Sequence, residues 1–124
     1  MSSSSFDGVK PYLTEIFAEF CGTLIFVVVI LIVVTKISGP NWLIALLIGL
    51  GLAVGIFFCV LFKGPGYLNP AVAVMLGIKD NKSAAYVVGM IAAEFLAVAL
   101  ALVIYFSLPL SRAAPSSVPV SSAY

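Results

Sequence analysis

Three polar side chains stand out in a chain that is otherwise mostly apolar: Glu19, Asn69 and Glu94. Asn69 precedes Pro70, and the macrodipole of a helix that starts there amounts to roughly half a positive charge. An amide donor beside the free N–H groups of a helix start can bind a water or hydroxyl oxygen while it repels cations and protons. The same amide can also cap the helix, and the two roles do not exclude each other.

The composition is that of an integral membrane protein. Of the 124 residues, 63% are hydrophobic and 9% are charged, and the mean hydropathy is +1.24. So little polar surface is incompatible with a water-soluble domain of this size. The net charge of +1 comes from scattered residues that form no basic patch, which argues against a nucleic-acid partner.

Three apolar runs are long enough to cross a bilayer, which requires about 20 apolar residues. The predicted spans cover residues 12–34, 42–62 and 84–106. Trp42 lies at the border of the second span, where an interfacial aromatic anchor is expected. Residues 1–11 are expected to form a flexible tail. Residues 108–124 are rich in proline and serine and cannot bury enough apolar area to fold alone.

A fourth apolar run, residues 70–77, is too short to cross a bilayer and is predicted to be a re-entrant half-helix. Pro70 suits the first helical position because its fixed φ fits a helix and its missing N–H would have no partner there. Asn69 is the expected N-cap, and Gly77 is the expected end. Backbone at this depth must be buried in protein or line a wet cavity, so the segment indicates a pore or a tight helix bundle.

Glu19 and Glu94 need internal partners, because a carboxylate at the bilayer centre costs about 2.5–3.5 kcal/mol. The segment from Gly64 to Leu68 presents backbone N–H groups that no helix satisfies, so both glutamates are predicted to brace the half-helix. Proton transfer is the alternative functional role. Two simpler interpretations are an interfacial Glu19 that snorkels with Glu15 and a Glu94 that is a protonated core residue.

Small residues recur at every fourth position of the third span and allow close helix packing. This ridge consists of Ala85, Gly89, Ala93, Ala97 and Ala101, and the second span carries Gly51 and Gly55. The spacing leaves open whether the ridges pack within one chain or between chains. Packing within one chain is the simpler expectation.

The side chains offer little to catalysis or to metal binding. The chain contains no histidine, and Cys21 and Cys59 lie in separate apolar spans, where a free thiol behaves as a small hydrophobic group. A nucleophile, a base and an orienting group cannot be assembled from these residues. We therefore expect no enzyme activity, no metal site and no cofactor.

Two motifs give the chain a family resemblance. Asn69-Pro70-Ala71 follows a glycine-rich loop, and Ala18-Glu19-Phe20-Cys21-Gly22-Thr23 opens the first span. Together with Leu50-Gly51-Leu52 and Ala93-Glu94, these motifs make residues 12–107 resemble the N-terminal half of the aquaporins and glycerol facilitators, the major intrinsic proteins. The resemblance implies a single aquaporin-like repeat, an all-α membrane unit of three transmembrane helices and one re-entrant half-helix.

The same resemblance implies roles for individual residues. Those expected to line a passage or cap the half-helix are Asn69, Pro70, Ala71, Tyr67 and Leu68, with Leu50 at a filter position. The chain departs from the family pattern in lacking a second Asn-Pro-Ala motif and the arginine that follows it. Tyr67 stands where histidine is usual, Ala73 where threonine is common, and Glu94 where glutamine is usual. A single copy of this repeat cannot enclose the family's pore.

Two classes of function follow. In the first, the chain pairs with a second copy inserted upside down, or with a separate chain, and forms a channel for water or a small neutral solute. In the second, it is a non-conducting membrane subunit or scaffold of a larger assembly, such as a membrane protein complex or a virion membrane. Both classes place the chain in a lipid bilayer with a homo-oligomeric or different membrane-protein partner.

Basic residues indicate the orientation in the membrane. Four lysines lie on the side of the N-terminus, and only Lys36 and Arg112 lie on the other. Because basic residues are retained on the cytoplasmic side, this distribution favours a multi-pass protein with its N-terminus in the cytoplasm.

Overall fold

The computed structural model describes residues 10–108, which form four helices. Helix α1 spans Lys10–Lys36, α2 spans Asn41–Leu61, α3 spans Pro70–Lys79 and α4 spans Ala84–Ser107. The described residues contain no strand, so the prediction of an all-α fold is confirmed for this part of the chain. The predicted tails lie almost entirely outside the described residues, at 1–9 and 109–124. The exceptions are the last residues of the first tail, because α1 already begins at Lys10, and Leu108, which is the C-cap of α4.

Helices α1, α2 and α4 are long and apolar enough to cross a membrane. The shortest of them, α2, has 21 residues and is therefore about 32 Å long, which matches a hydrocarbon layer of about 30 Å. The bounds of these helices differ from the predicted spans by no more than two residues. Three such helices are the pattern of a multi-pass membrane protein.

Helix α1 packs against both α2 and α4. Its contact with α2 depends on glycine, because a Cβ on Gly22 would lie 2.8 Å from the carbonyl oxygen of Gly55, and a Cβ on Gly55 would lie 2.8 Å from the carbonyl oxygen of Gly22. One turn earlier in α2, a Cβ on Gly51 would lie 2.5 Å from Cγ1 of Val29. Gly51 and Gly55 therefore pack within the chain.

The small-residue ridge of α4 also lies mostly inside the chain. Its buried members are Ala93, Ala97 and Ala101. A Cβ on Gly89 would lie 2.9 Å from Cδ1 of Ile16, so this glycine lets α1 approach α4 closely. Over most of its length the ridge serves packing between two helices of one chain, in agreement with the simpler expectation.

Helix α3 packs against α4 and continues past Gly77, its predicted end, to Lys79. Gly77 is buried, and a Cβ there would overlap Cγ2 of Val87. Glycine at this position thus allows close approach of two helices, and it does not mark the helix end. The turn that follows α3 contains Asn81 with φ +51°, a left-handed conformation that asparagine tolerates better than most residues.

The close approach of α1 and α2 predicts a large difference between two glycine-to-alanine substitutions in α2. In Gly55→Ala the new Cβ would lie 2.8 Å from a backbone oxygen that cannot rotate away. We expect this variant to lose about 1–3 kcal/mol of stability through overpacking. Gly49→Ala is the matched control, because nothing lies within 4 Å of a Cβ there. Thermal unfolding in detergent measures both, and equal stability of the two variants would contradict this packing.

Candidate functional site

The candidate site is the loop between α2 and α3 together with the first turn of α3. Residues 64–68 of this loop form no helix or strand. Gly66 has φ +71°, which glycine adopts readily, but Leu68 has φ +52°, which costs an ordinary side chain about 1–2 kcal/mol. A leucine in this conformation must be held there by its surroundings.

The carboxylate of Glu19 on α1 provides the first constraint. Its Oε1 accepts a hydrogen bond from the backbone N–H of Leu68, and its Oε2 accepts one from the backbone N–H of Gly66 at 3.1 Å. The thiol of Cys59 on α2 also donates to Oε2, with Sγ at 3.3 Å. The side chain of Glu19 is fully buried, so it is not an interfacial residue that snorkels to the membrane surface.

The side chain of Leu68 provides the second constraint. It is buried in the notch that Gly22 and Gly55 leave between α1 and α2. A Cβ on Gly55 would lie 2.6 Å from Cδ2 of Leu68, so the leucine occupies the space that a larger residue would fill. The hydrogen bond to Glu19 and this packing together offset the unfavourable φ of Leu68.

Asn69 is the N-cap of α3, and Pro70 occupies the first turn. The Oδ1 of Asn69 accepts a hydrogen bond from the backbone N–H of Ala71 at 2.9 Å. The Nδ2 of Asn69 has no hydrogen-bond partner among the described residues. Asn69 and Ala71 are exposed and Pro70 is half-buried, so the amide donor faces outward from the helix start.

The other residues expected to line a passage divide into two groups. Leu50 on α2 is 59% exposed, whereas Tyr67 and Leu68 are buried. The side chains of Tyr67 and Leu68 are therefore largely covered by the chain, whereas residues 64–66 are half-buried and Asn69 is exposed. This inward orientation follows from the left-handed turn at Leu68, for which the sequence carries no glycine or asparagine signal.

Glu94 on α4 also reaches the site but does not brace it through hydrogen bonds. Its carboxyl group lies near the carboxylate of Glu19 and the backbone N–H of Asn69. Glu94 is 2% exposed, and neither of its carboxyl oxygens makes a hydrogen bond. Thr23, one turn after Glu19 on α1, likewise has a buried hydroxyl without a partner. Among the described residues, three buried polar atoms on Glu94 and Thr23 thus have no hydrogen-bond partner.

A second polar group, which the sequence did not reveal, lies at the other end of α3. The hydroxyl of Tyr86 donates a hydrogen bond to Oε2 of Glu15, and its ring packs edge-on against Tyr12 with 5.4 Å between centroids. The Nζ of Lys82 lies 5.0 Å from the centroid of the same ring. Glu15, Lys82 and Tyr86 border a polar cavity of about 400 Å³ that is also lined by Lys63, Tyr67, Lys79 and Asp80.

The described residues contain no group of three His, Cys, Asp or Glu side chains that could hold a metal ion. Cys21 and Cys59 are free thiols. The candidate site offers the amide of Asn69 at the start of α3 and the carboxylate of Glu19, which accepts hydrogen bonds from the loop before it.

We compared the chain with models of protein families, with curated proteins and with solved structures, and found no match in any of the three. The resemblance to the major intrinsic proteins therefore stays a prediction that depends on the motifs themselves.

The hydrogen bonds to Glu19 predict how two substitutions should rank. Glu19→Ala should lower stability in detergent by about 1–3 kcal/mol, because it leaves buried backbone N–H donors unpaired. Glu19→Gln should lower it less, since the amide oxygen still accepts one of these bonds. Thermal unfolding of the wild type and both variants measures the order, and a Glu19→Ala variant as stable as the wild type would rule out the brace.

Proposed function

We propose that the chain is one half of an aquaporin-like channel for water or a small neutral solute. In this proposal α3 is a re-entrant half-helix whose start, at Asn69, lines the passage. The observation that carries the proposal is the exposed amide of Asn69 at the N-terminus of α3, on a loop that the buried carboxylate of Glu19 holds in place.

The depth of Glu19 supports the re-entrant assignment. Glu19 lies nine residues after Lys10, or about 14 Å along the axis of α1, and the backbone of Leu68 is hydrogen-bonded to it. The start of α3 therefore lies at the depth of an apolar stretch of α1. Helix α3 has 10 residues and is about 15 Å long, half of what a full crossing requires.

The two ends of this segment support the same assignment. Lys63 precedes the loop, Lys79 ends α3 and Lys82 follows it, and all three border the same polar cavity beside Glu15. The chain thus approaches α3 and leaves it on one side of the helical unit. A segment that enters and leaves on the same side does not cross the bilayer.

The chemistry at the start of α3 suits an uncharged solute. The Nδ2 of Asn69 is a donor without a partner among the described residues, and the helix macrodipole adds a partial positive charge there. Together they hold the oxygen of a water or hydroxyl and oppose the passage of cations and protons. They cover one side of a passage only, so a second half must supply the opposite wall.

The same exposed start makes the non-conducting scaffold the second candidate function. A polar helix start that faces outward can be covered by a polar group of a partner, in which case Asn69 is a helix cap at a protein interface. The burial of Leu68 favours this function, because this side chain does not contribute to the wall of a passage.

Both functions predict that the chain associates in the membrane. Asn69 and the backbone around it would otherwise face lipid, where an unsatisfied polar group costs several kcal/mol. Native mass spectrometry in a mild detergent should therefore show a dimer or a higher assembly when the protein is pure, or a complex when it is extracted with its partner. A folded monomer under both conditions would count decisively against the proposal.

The source of the second half can be determined by labelling. Two identical copies can close a pore only with opposite insertion, since the two halves of an inverted repeat are related by an axis in the membrane plane. A cysteine introduced as Ser38→Cys lies in the exposed turn between α1 and α2 and reports the orientation to an impermeant thiol reagent. The lysine distribution leads us to expect labelling from one face of sealed vesicles only. One-sided labelling would exclude an inverted homodimer, so a separate chain would have to supply the second half of a channel.

Labelling from both faces would instead indicate an inverted homodimer. Water efflux from the same vesicles is the companion measurement, with Asn69→Leu as the control that removes the amide donor. If insertion is one-sided and these vesicles shrink no faster than empty ones, the pure chain is not a channel by itself, and only reconstitution with a partner can restore the first function. Faster shrinkage that Asn69→Leu leaves unchanged would exclude the proposed role of Asn69.

A further inference from the structure

We propose that the polar cavity between the start of α1, the end of α2 and the start of α4 binds the phosphate group of an anionic lipid. Its volume of about 400 Å³ lies within the range of about 300–1,000 Å³ that small-molecule sites occupy. Its charged lining residues are Lys63, Lys79, Lys82, Glu15 and Asp80. This inference concerns the cavity alone and does not depend on whether the chain conducts a solute.

The cavity lies at the level where membrane-spanning helices meet the lipid headgroups. Helix α2 ends at Leu61, two residues before Lys63, and α4 begins at Ala84, two residues after Lys82. Both helices are long and apolar enough to cross a membrane, so their ends belong to the interfacial layer. Lysines at such a position extend their ammonium groups to the headgroups, and basic pockets between spanning helices hold anionic ones.

The two carboxylates of the lining already have donors within the chain. The Oε2 of Glu15 accepts a hydrogen bond from the hydroxyl of Tyr86. The Oδ1 of Asp80 lies 2.8 Å from the Nζ of Lys79. The negative charges that could repel a phosphate are therefore each engaged by a neighbouring side chain.

Two lysines of the lining, Lys63 and Lys82, form no ion pair among the described residues. The Nζ of Lys82 lies 5.0 Å from the ring centroid of Tyr86, and this cation–π contact keeps the ammonium group beside the cavity. Three lysines and two carboxylates give the lining a net charge of +1, which the single negative charge of a phosphodiester balances. Hydrogen bonds from ammonium to phosphate are roughly twice as strong as those between neutral groups.

The apolar residues beside these lysines favour a lipid over a soluble phosphate. Phe62, immediately before Lys63, is 52% exposed, and Ile78, immediately before Lys79, is 75% exposed. Acyl chains attached to the bound phosphate can cover such side chains, and burial of apolar surface adds to the binding. Inorganic phosphate has the charge but gains nothing from this surface.

The first test measures lipid binding to the purified full chain in a mild detergent by native mass spectrometry, at an ionic strength of about 0.15 M to screen unspecific attraction. Phosphatidylglycerol should bind in preference to phosphatidylcholine at equal concentration. The double variant Lys63→Gln/Lys82→Gln should bind phosphatidylglycerol about 25-fold more weakly, because each lysine near an anionic lipid contributes about fivefold.

Lys36→Gln is the matched control. Lys36 is also an exposed lysine at a helix end, but it lies 21 residues, or about 32 Å along the axis of α1, from Glu15 in the cavity. This variant should bind phosphatidylglycerol as the wild type does. Equal binding of the two lipids by the wild type, or wild-type binding by the double variant, would overturn the proposal.

The second test locates the site in the wild type, so it does not depend on the folding of a variant. The chain contains five lysines, and ¹³C at their Cε atoms gives five signals for nuclear magnetic resonance. Short-chain phosphatidylglycerol should shift the signals of Lys63 and Lys82 and leave that of Lys36 in place, whereas inorganic phosphate at the same concentration should shift none. An equal shift at Lys36 would indicate unspecific attraction, and the same shifts with inorganic phosphate would assign the cavity to a soluble anion. Either result would overturn the proposal.

Discussion

The loop before α3 contains backbone N–H groups for which no helix supplies a partner. The carboxylate of Glu19 accepts hydrogen bonds from two of them, those of Gly66 and Leu68. Each of these donors would cost about 1–3 kcal/mol if it were left unpaired. The thiol of Cys59 binds the same carboxylate, so one side chain joins α1, α2 and the loop. The position of the helix start therefore depends strongly on the buried side chain of Glu19.

The close approach of the helices makes this arrangement possible. Gly22 and Gly55 bring α1 and α2 near enough for Cys59 to reach Glu19, and the notch between them receives Leu68. At its other end α3 is held by the contact of Gly77 with Val87 on α4. The short helix is thus fixed at both ends by contacts within the chain, and these contacts determine the direction of its first turn.

The sequence predicts the number of helices and their bounds because apolar run length and bilayer thickness are directly related. It also predicts Asn69 as the cap, since the chemistry of an asparagine before a proline is local. Three features cannot be predicted from local sequence: the left-handed turn at Leu68, the close packing at Gly77 and the contact between Tyr86 and Glu15. Each depends on which distant segments meet, and hydrophobic periodicity contains no information about that.

The two candidate functions share one physical requirement, which is an oxygen atom opposite the start of α3. The chain satisfies the acceptor side of Asn69 through its bond to Ala71 but leaves the Nδ2 donor facing outward. Lipid tails cannot accept that bond, so either water in a passage or a polar group of a partner must do so. The difference between a channel and a scaffold therefore reduces to whether the acceptor is free to move along the membrane normal.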